Sequence, residues 1–210
     1  CGAGVAFKVA WACAEAFCGS TNLPAVLRQA LIEAAPLAAL GTVADMVPLI
    51  DENRYIARWG LAAMTQTSLP GLKALIEEAK IDQSKVVDSL DAGFRLAPRI
   101  NACGRLEDPQ QALRLLLTDS QDEATTLAAT LTQLNDRRRR DQKVIEEAAV
   151  ARVIDDGHDR DDQKIIVLAD EAWNRGIVGI ACTRLVERFH RPVILMQEIE
   201  GKLVGSARSI

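Results

Sequence analysis

The sequence predicts an α/β protein: a helical first part, then one long helix, then the start of a small parallel or mixed sheet. Three observations carry that expectation. Aromatic residues make up only 4% of the 210 positions while alanine and leucine abound, a composition that favours helices. Apolar residues then recur at helical spacing over most of the chain up to Ile154. Beyond residue 160 the period changes, and "KIIVLAD", "GIVGIACTRLVERF" and "RPVILMQ" read as strand, helix and strand.

The elements follow in order. Val5, Val9, Ala12, Ala16 and Phe17 predict a helix over residues 3 to 18, and Leu27, Leu31 and Ile32 predict another over 23 to 35. "PLAALGTVADMVPLI" is almost wholly apolar apart from Thr42 and Asp45, and it leads to Asp51, the expected cap of the helix "ENRYIARWGLAAM". Leu69 or Pro70 starts a further helix through Lys80. "GFRLAPRINACGRLEDP", residues 93 to 109, carries two glycines and two prolines and reads as turn-prone. Asp108 and Pro109 are an expected N-cap and first position for a short helix through Leu117. Ser120 and Glu123 have capping-box spacing, and Leu127, Leu131, Leu134, Ile145, Ala148 and Ala149 keep the helical period to about Ile154. Such a helix is on the order of 50 Å long, too long for one small core, and is expected to bridge two domains. "DDGHDRDDQ" reads as a polar linker. The strand–helix–strand run predicts a right-handed crossover on a parallel sheet, extended through a turn at "EGK" into "LVGSARSI". Met46, Met64 and Met196 lie among apolar residues and are expected in the core.

The formal charge of −4 gives no global attraction to nucleic acid or anionic membranes, so any phosphate binding must be local. The five cysteines are odd in number and never paired as C-x-x-C, which suggests neither a disulfide framework nor a zinc knuckle and points to a reducing cytoplasm. The apolar run "GAGVAFKVAWACAEAF" is broken by Lys8 and Glu15, so no membrane partner is expected. Because the chain starts at Cys1 and stops on a strand-like run, it is expected to be an internal piece of a longer protein.

Four motifs bear on chemistry. Asp45 sits in an apolar run, where an unpaired carboxylate would be costly to bury; from spacing alone a cap or an ion pair with Arg54 or Arg58 is favoured over a metal ligand. In "RLAPRINACGR" the guanidinium groups suit bidentate phosphate contacts, while Asp88, Asp91, Glu107 and Asp108 offer the alternative of an ion-paired loop. Arg137 to Arg140 point in different directions around a helix, and Asp136/Arg140, Arg137/Asp141 and Lys143/Glu147 fit intrahelical pairs, so a solvated face is favoured over nucleic-acid contact. "GSARSI" offers two serines and Arg208 to an anion. His158 and His190 have no metal-like partner nearby in sequence.

Taken in order, "GAGVAFK", "ALGTVADMVPLIDENR", "GFRLAPRINACGRLEDP", "WNRGIVGIACTRLVERFHRPVIL" and "GSARSI" resemble the RecJ-like exonucleases of the DHH phosphoesterase superfamily over essentially the whole chain. The resemblance implies the C-terminal half of a DHH catalytic domain over 1–118, a long connecting helix over 119–155, and the N-terminal part of the companion domain over 156–210. It implies Asp45 as a ligand of a catalytic Mn²⁺ or Mg²⁺, against the paired-acid reading, and Arg99, Asn101, Arg105, Ser206 and Arg208 as contacts to the 5′ phosphate and backbone of single-stranded DNA. The implied activity is metal-dependent 5′-to-3′ hydrolysis of single-stranded DNA in repair and recombination, with single-strand-binding protein and a helicase as partners. Neither a "DHH" nor a "GGH" motif occurs, so the chain alone is expected to be inactive. One position departs: relatives carry histidine where this chain has Asn174, so no contact by that histidine is carried over. Two other readings stand beside this one. They are a DHH phosphodiesterase on short RNA or cyclic dinucleotides, and a non-catalytic single-strand-binding scaffold.

Overall fold

A computed structural model describes residues 1–160 and 162–210. The chain is mostly helical with one small mixed sheet, and it divides into two compact units. The first comprises Cys1–Gly104 and Asp108–Gln133, the second Arg105–Glu107 and Leu134–Ile210.

The first unit opens with α1 (Gly2–Cys18), α2 (Ala25–Ala44), α3 (Asp51–Met64) and α4 (Pro70–Glu78). α2 continues well past the end expected at residue 35. Pro36 removes one backbone donor, but the turns beyond it bury Ala38, Ala39, Leu40 and Thr42, and that packing outweighs one missing bond. By length and apolarity α2 could cross a bilayer, a test that core helices also pass; here it packs between α1 and α3. Asp51 is the first residue of α3 and makes no side-chain cap; Ile50 takes the cap position. Of the three methionines only Met64 is fully buried, whereas Met46 is 86% exposed.

The segment expected to be a turn-rich loop is helical from Gly93 to Leu106, and only residues 107–109 form a turn. A π-helical stretch, Asp91–Leu96, leads directly into α5 (Ala97–Leu106). The ring of Pro98 crowds the turn before it and donates no hydrogen bond, and the wide π turn is where a helix accommodates such a defect. α6 (Gln110–Leu117) begins one residue later than the Asp-Pro signal implies, with Pro109 at the cap position, and the Asp108 carboxylate accepts from the Gln110 N–H at 2.9 Å. α7 (Gln121–Asp155) is a single helix of 35 residues. Ser120 accepts from the Glu123 N–H at 3.3 Å, half of the capping box, while the Glu123 carboxylate turns to Thr118 and Arg114.

In the second unit β1 (Ile166–Asp170), α8 (Arg175–Phe189), β2 (Val193–Ile199) and β3 (Lys202–Arg208) form a sheet of order β1-β2-β3, parallel then antiparallel. The hairpin turn falls on Glu200 and Gly201, both at positive φ, as the "EGK" signal requires. Ile145, Ala149 and Val153 of α7 share one apolar cluster with Ile166, Leu168, Trp173, Ile177, Leu185, Val193 and Leu195. Each fully buried aliphatic side chain there is worth about 1.5–3 kcal/mol. The polar stretch expected to be a linker is pinned. The Arg191 guanidinium donates to the carbonyls of His158, Arg160 and Gln163 at 2.8–3.0 Å. Asp161, part of that stretch, lies outside the described residues.

Candidate nucleic-acid interface

The second unit gathers three of the expected site residues around the start of α8. Arg105, at the end of α5, donates from Nη1 to the Gly176 carbonyl at 3.1 Å. Its own carbonyl lies where a side chain at residue 176 would go: a Cβ there would come within 2.2 Å of the Arg105 oxygen. One turn further on, a Cβ at Gly179 would meet Ser206 Oγ at 3.0 Å and Arg208 Nη2 at 3.4 Å. Ser206 and Arg208 are two apart on β3 and therefore share a face. The glycines thus let Arg105, Ser206 and Arg208 close on one short stretch of helix.

The backbone of that helix start is already occupied. Asn174 caps it, its Oδ1 accepting from the Gly176 N–H at 2.8 Å and its carbonyl from Ile177 and Val178 at 2.9 and 3.1 Å. The Arg175 N–H is taken by Gln197 Oε1 at 3.1 Å. An anion here would consequently be held by side chains, not by free helix N–H groups. Neither Arg105 nor Arg208 has a carboxylate within ion-pair distance among the described residues; Arg208 donates only to its neighbour's carbonyl at 2.7 Å. Beneath them Cys182 Sγ donates to the Ser206 carbonyl at 3.2 Å, fixing β3 against α8. Burial pushes the Cys182 thiol pKa up, opposed by a backbone hydrogen bond and by the positive charge of Arg208.

Asp45, Arg99 and Asn101 belong to the helical unit. Asp45 is the C-cap residue of α2 and is exposed, so the burial cost argued from its apolar surroundings does not arise; the chain turns outward at Met46, whose φ is 53°. No ion pair to Arg54 or Arg58 forms among the described residues. The ion-pair alternative thereby loses its partner, while the cap alternative matches the position of Asp45 at the end of α2. The described residues also contain no cluster of three or more His, Cys, Asp or Glu able to hold a metal ion, so they do not form a metal centre by themselves. Asn101 is exposed on α5. Arg99 is half-buried and donates from Nε to Thr132 Oγ1 at 3.1 Å and from Nη1 to the Arg95 carbonyl. Arg95 does what the ion-paired alternative describes, holding Asp91 at 2.7 Å and the carbonyls of Ala79 and Lys80 at 2.5 and 2.6 Å.

Comparison with known proteins bears on this arrangement. No family model matches the chain. The single-stranded-DNA-specific exonuclease RecJ of Bacillus subtilis is 41% identical over the whole chain, which spans 25% of that protein. The chain is a RecJ homologue. RecJ of Thermus thermophilus is 39% identical over the whole chain and 28% of its own length. Among solved structures, Thermus thermophilus RecJ in complex with Mn²⁺ superposes with a TM-score of 0.74 at 36% identity, covering 85% of this chain and 26% of that one. A manganese-bound exonuclease RecJ gives 0.78 at 34% identity, over 98% of this chain and 48% of that chain. The chain therefore spans about a quarter to a third of the curated RecJ proteins it matches.

Proposed function

We propose that this chain is part of a metal-dependent exonuclease that hydrolyses single-stranded DNA from the 5′ end, with Arg105, Ser206 and Arg208 receiving the 5′ phosphate. The observation that carries the proposal is the convergence of those three side chains on Gly176 and Gly179, with no internal carboxylate to neutralise the two guanidinium groups among the described residues. Guanidinium groups match the oxygens of a phosphate in bidentate geometry, and a serine hydroxyl can donate to a third. The likeness to RecJ along the full chain supports the same reading. Arg99 and Asn101 are proposed to follow the strand's backbone from the helical unit.

RecJ structures similar to this chain are complexes with Mg²⁺ or Mn²⁺. Asp45 is proposed as one oxygen ligand of such an ion, whose hard-cation chemistry suits a carboxylate. Its remaining ligands would have to come from other parts of a RecJ-length protein. At the domain level the proposal reads the first 118 residues as half of a DHH domain, 119–155 as the connecting helix, and 156–210 as the beginning of the companion domain. As a DNA-processing enzyme, the protein is proposed to act in the cytoplasm.

Arg105→Ala in the full-length protein tests the phosphate role. Turnover and binding of a 5′-phosphorylated oligonucleotide should fall severalfold or more, with a smaller loss for the 5′-hydroxyl form. Equal behaviour of variant and parent on both substrates would return Arg105 to a structural role. The isolated 210 residues should show no Mn²⁺-dependent degradation of single-stranded DNA; robust degradation would refute the placement of the other ligands elsewhere.

A further inference from the structure

The middle of α7 holds a further cation that the site above does not use. Arg138 is half-buried, and its guanidinium is fixed from two sides by neutral acceptors: Nη1 donates to Gln142 Oε1 and Nη2 to Asn135 Oδ1, both at 2.7 Å. Gln142 is oriented in turn by donating to Glu146 Oε1 at 2.7 Å, so the nearest acid meets the amide and not the arginine. Asn135 is fully buried, and its Nδ2 has no partner among the described residues, a cost accepted in presenting its oxygen to Arg138. No carboxylate lies within ion-pair distance of Arg138 among the described residues. Its electrostatic surroundings include two further cations, Arg139 and Arg105. Burial first, and these two cations second, hold its guanidinium pKa below the ordinary arginine range.

Holding a half-buried cation between neutral acceptors is unfavourable unless something anionic arrives. A purely structural arginine in this place would be expected to draw in an acid, as Arg137 does with Asp141 at 3.7 Å on the neighbouring face. Amide acceptors instead lock the fork while leaving its full charge. We infer that Arg138, held by Asn135 and Gln142, is a preformed contact for a backbone phosphate of the bound single strand, in the same unit as Arg105. This rests on the proposed role of Arg105 and extends the contact from the terminal phosphate to a following one. Of the four successive arginines, Arg138 alone is bound into such a network among the described residues.

The salt dependence of binding separates a phosphate contact from a structural one. For single strands the slope of log K against log salt concentration falls by about 0.7 for each phosphate contact removed. Full-length protein would be titrated by anisotropy with a 5′-phosphorylated oligodeoxynucleotide across a range of salt, with circular dichroism confirming the fold of each variant. Arg138→Gln should lower the slope by about 0.7, and Arg138→Lys should retain it. Gln142→Glu keeps the arginine but gives it an internal carboxylate, and it should lower the slope in the same way, which guards against misfolding of the first variant. An unchanged slope in Gln142→Glu and in folded Arg138→Gln, with normal binding by the parent, overturns the role of Arg138 and leaves the Arg105 site standing. Absence of salt-dependent binding by the parent itself would instead overturn the proposed function.

Discussion

The two units differ in how far each closes its own core. In the second unit the residues joining α7, α8 and the sheet are all but inaccessible, Ile177, Val193 and Leu195 among them at 0% exposure. In the first, α1 buries only Gly4, and its apolar face stands open, with Phe17 at 88% and Val5 at 63% exposure. A groove of about 580 Å³ runs between α1, α2 and α3, lined by Phe7, Trp11, Leu31, Ile32, Tyr55 and Trp59. The functional groups divide along the same line. The basic group around α8 is assembled from one unit's own residues, whereas Asp45 in the other belongs to no cluster of three or more His, Cys, Asp or Glu among the described residues.

The sharpest way to break this comparison is to truncate equivalent aliphatic side chains. Leu185→Ala should cost about 2–5 kcal/mol in chemical denaturation followed at the second unit, while Val9→Ala in α1 should fall within about 0.5 kcal/mol. Comparable losses at both sites would mean that α1 buries its face in solution. Next in size is Gly176→Ala. The added methyl must displace the Arg105 carbonyl, so a loss of about 1–3 kcal/mol is expected, together with weaker binding of 5′-phosphorylated DNA by the full-length protein. Loss of stability with intact binding would separate the glycine from the site.

Smaller effects concern the thiols and pH. The raised Cys182 pKa means that the folded unit favours the protonated thiol, so its contribution is full below the unfolded thiol pKa and is lost as pH rises through the folded one. Stability of the second unit should therefore decline on the alkaline side, and Cys182→Ala should flatten that limb in pH-dependent denaturation. At mild alkaline pH, exposed Cys13 should alkylate well before buried Cys103 and Cys182, as read by mass spectrometry of the native protein.

Much of the fold is legible in the sequence because local signals and packing agree. The Ser120 cap, the uninterrupted period of α7 and the "EGK" turn each specify one local geometry. Legibility fails where packing overrides a local rule, as in α2 beyond Pro36, or where a defect is absorbed by an unusual turn, as at Pro98. Asp45 shows a different failure: an apolar neighbourhood in sequence says nothing of which way a helix end faces. At the basic group, arginines and serine are recognisable by type, but the glycines that let them meet are not obvious. The spacing of Gly176 and Gly179, one turn apart in "RGIVGI", is the available signal. Arg138 hides within "RRRR", and only the burial of Asn135 sets it apart from its neighbours.

The grip of Arg191 on the stretch after α7 has a mechanical consequence. By composition that stretch would be a slack tether, free to dissipate any pull on the helix. Tied through one guanidinium to the carbonyls of His158, Arg160 and Gln163, and rooted just before β2, it instead behaves as a stiff coupling. A load borne along the C-terminal part of α7 would reach the sheet through this contact as well as through the shared apolar cluster.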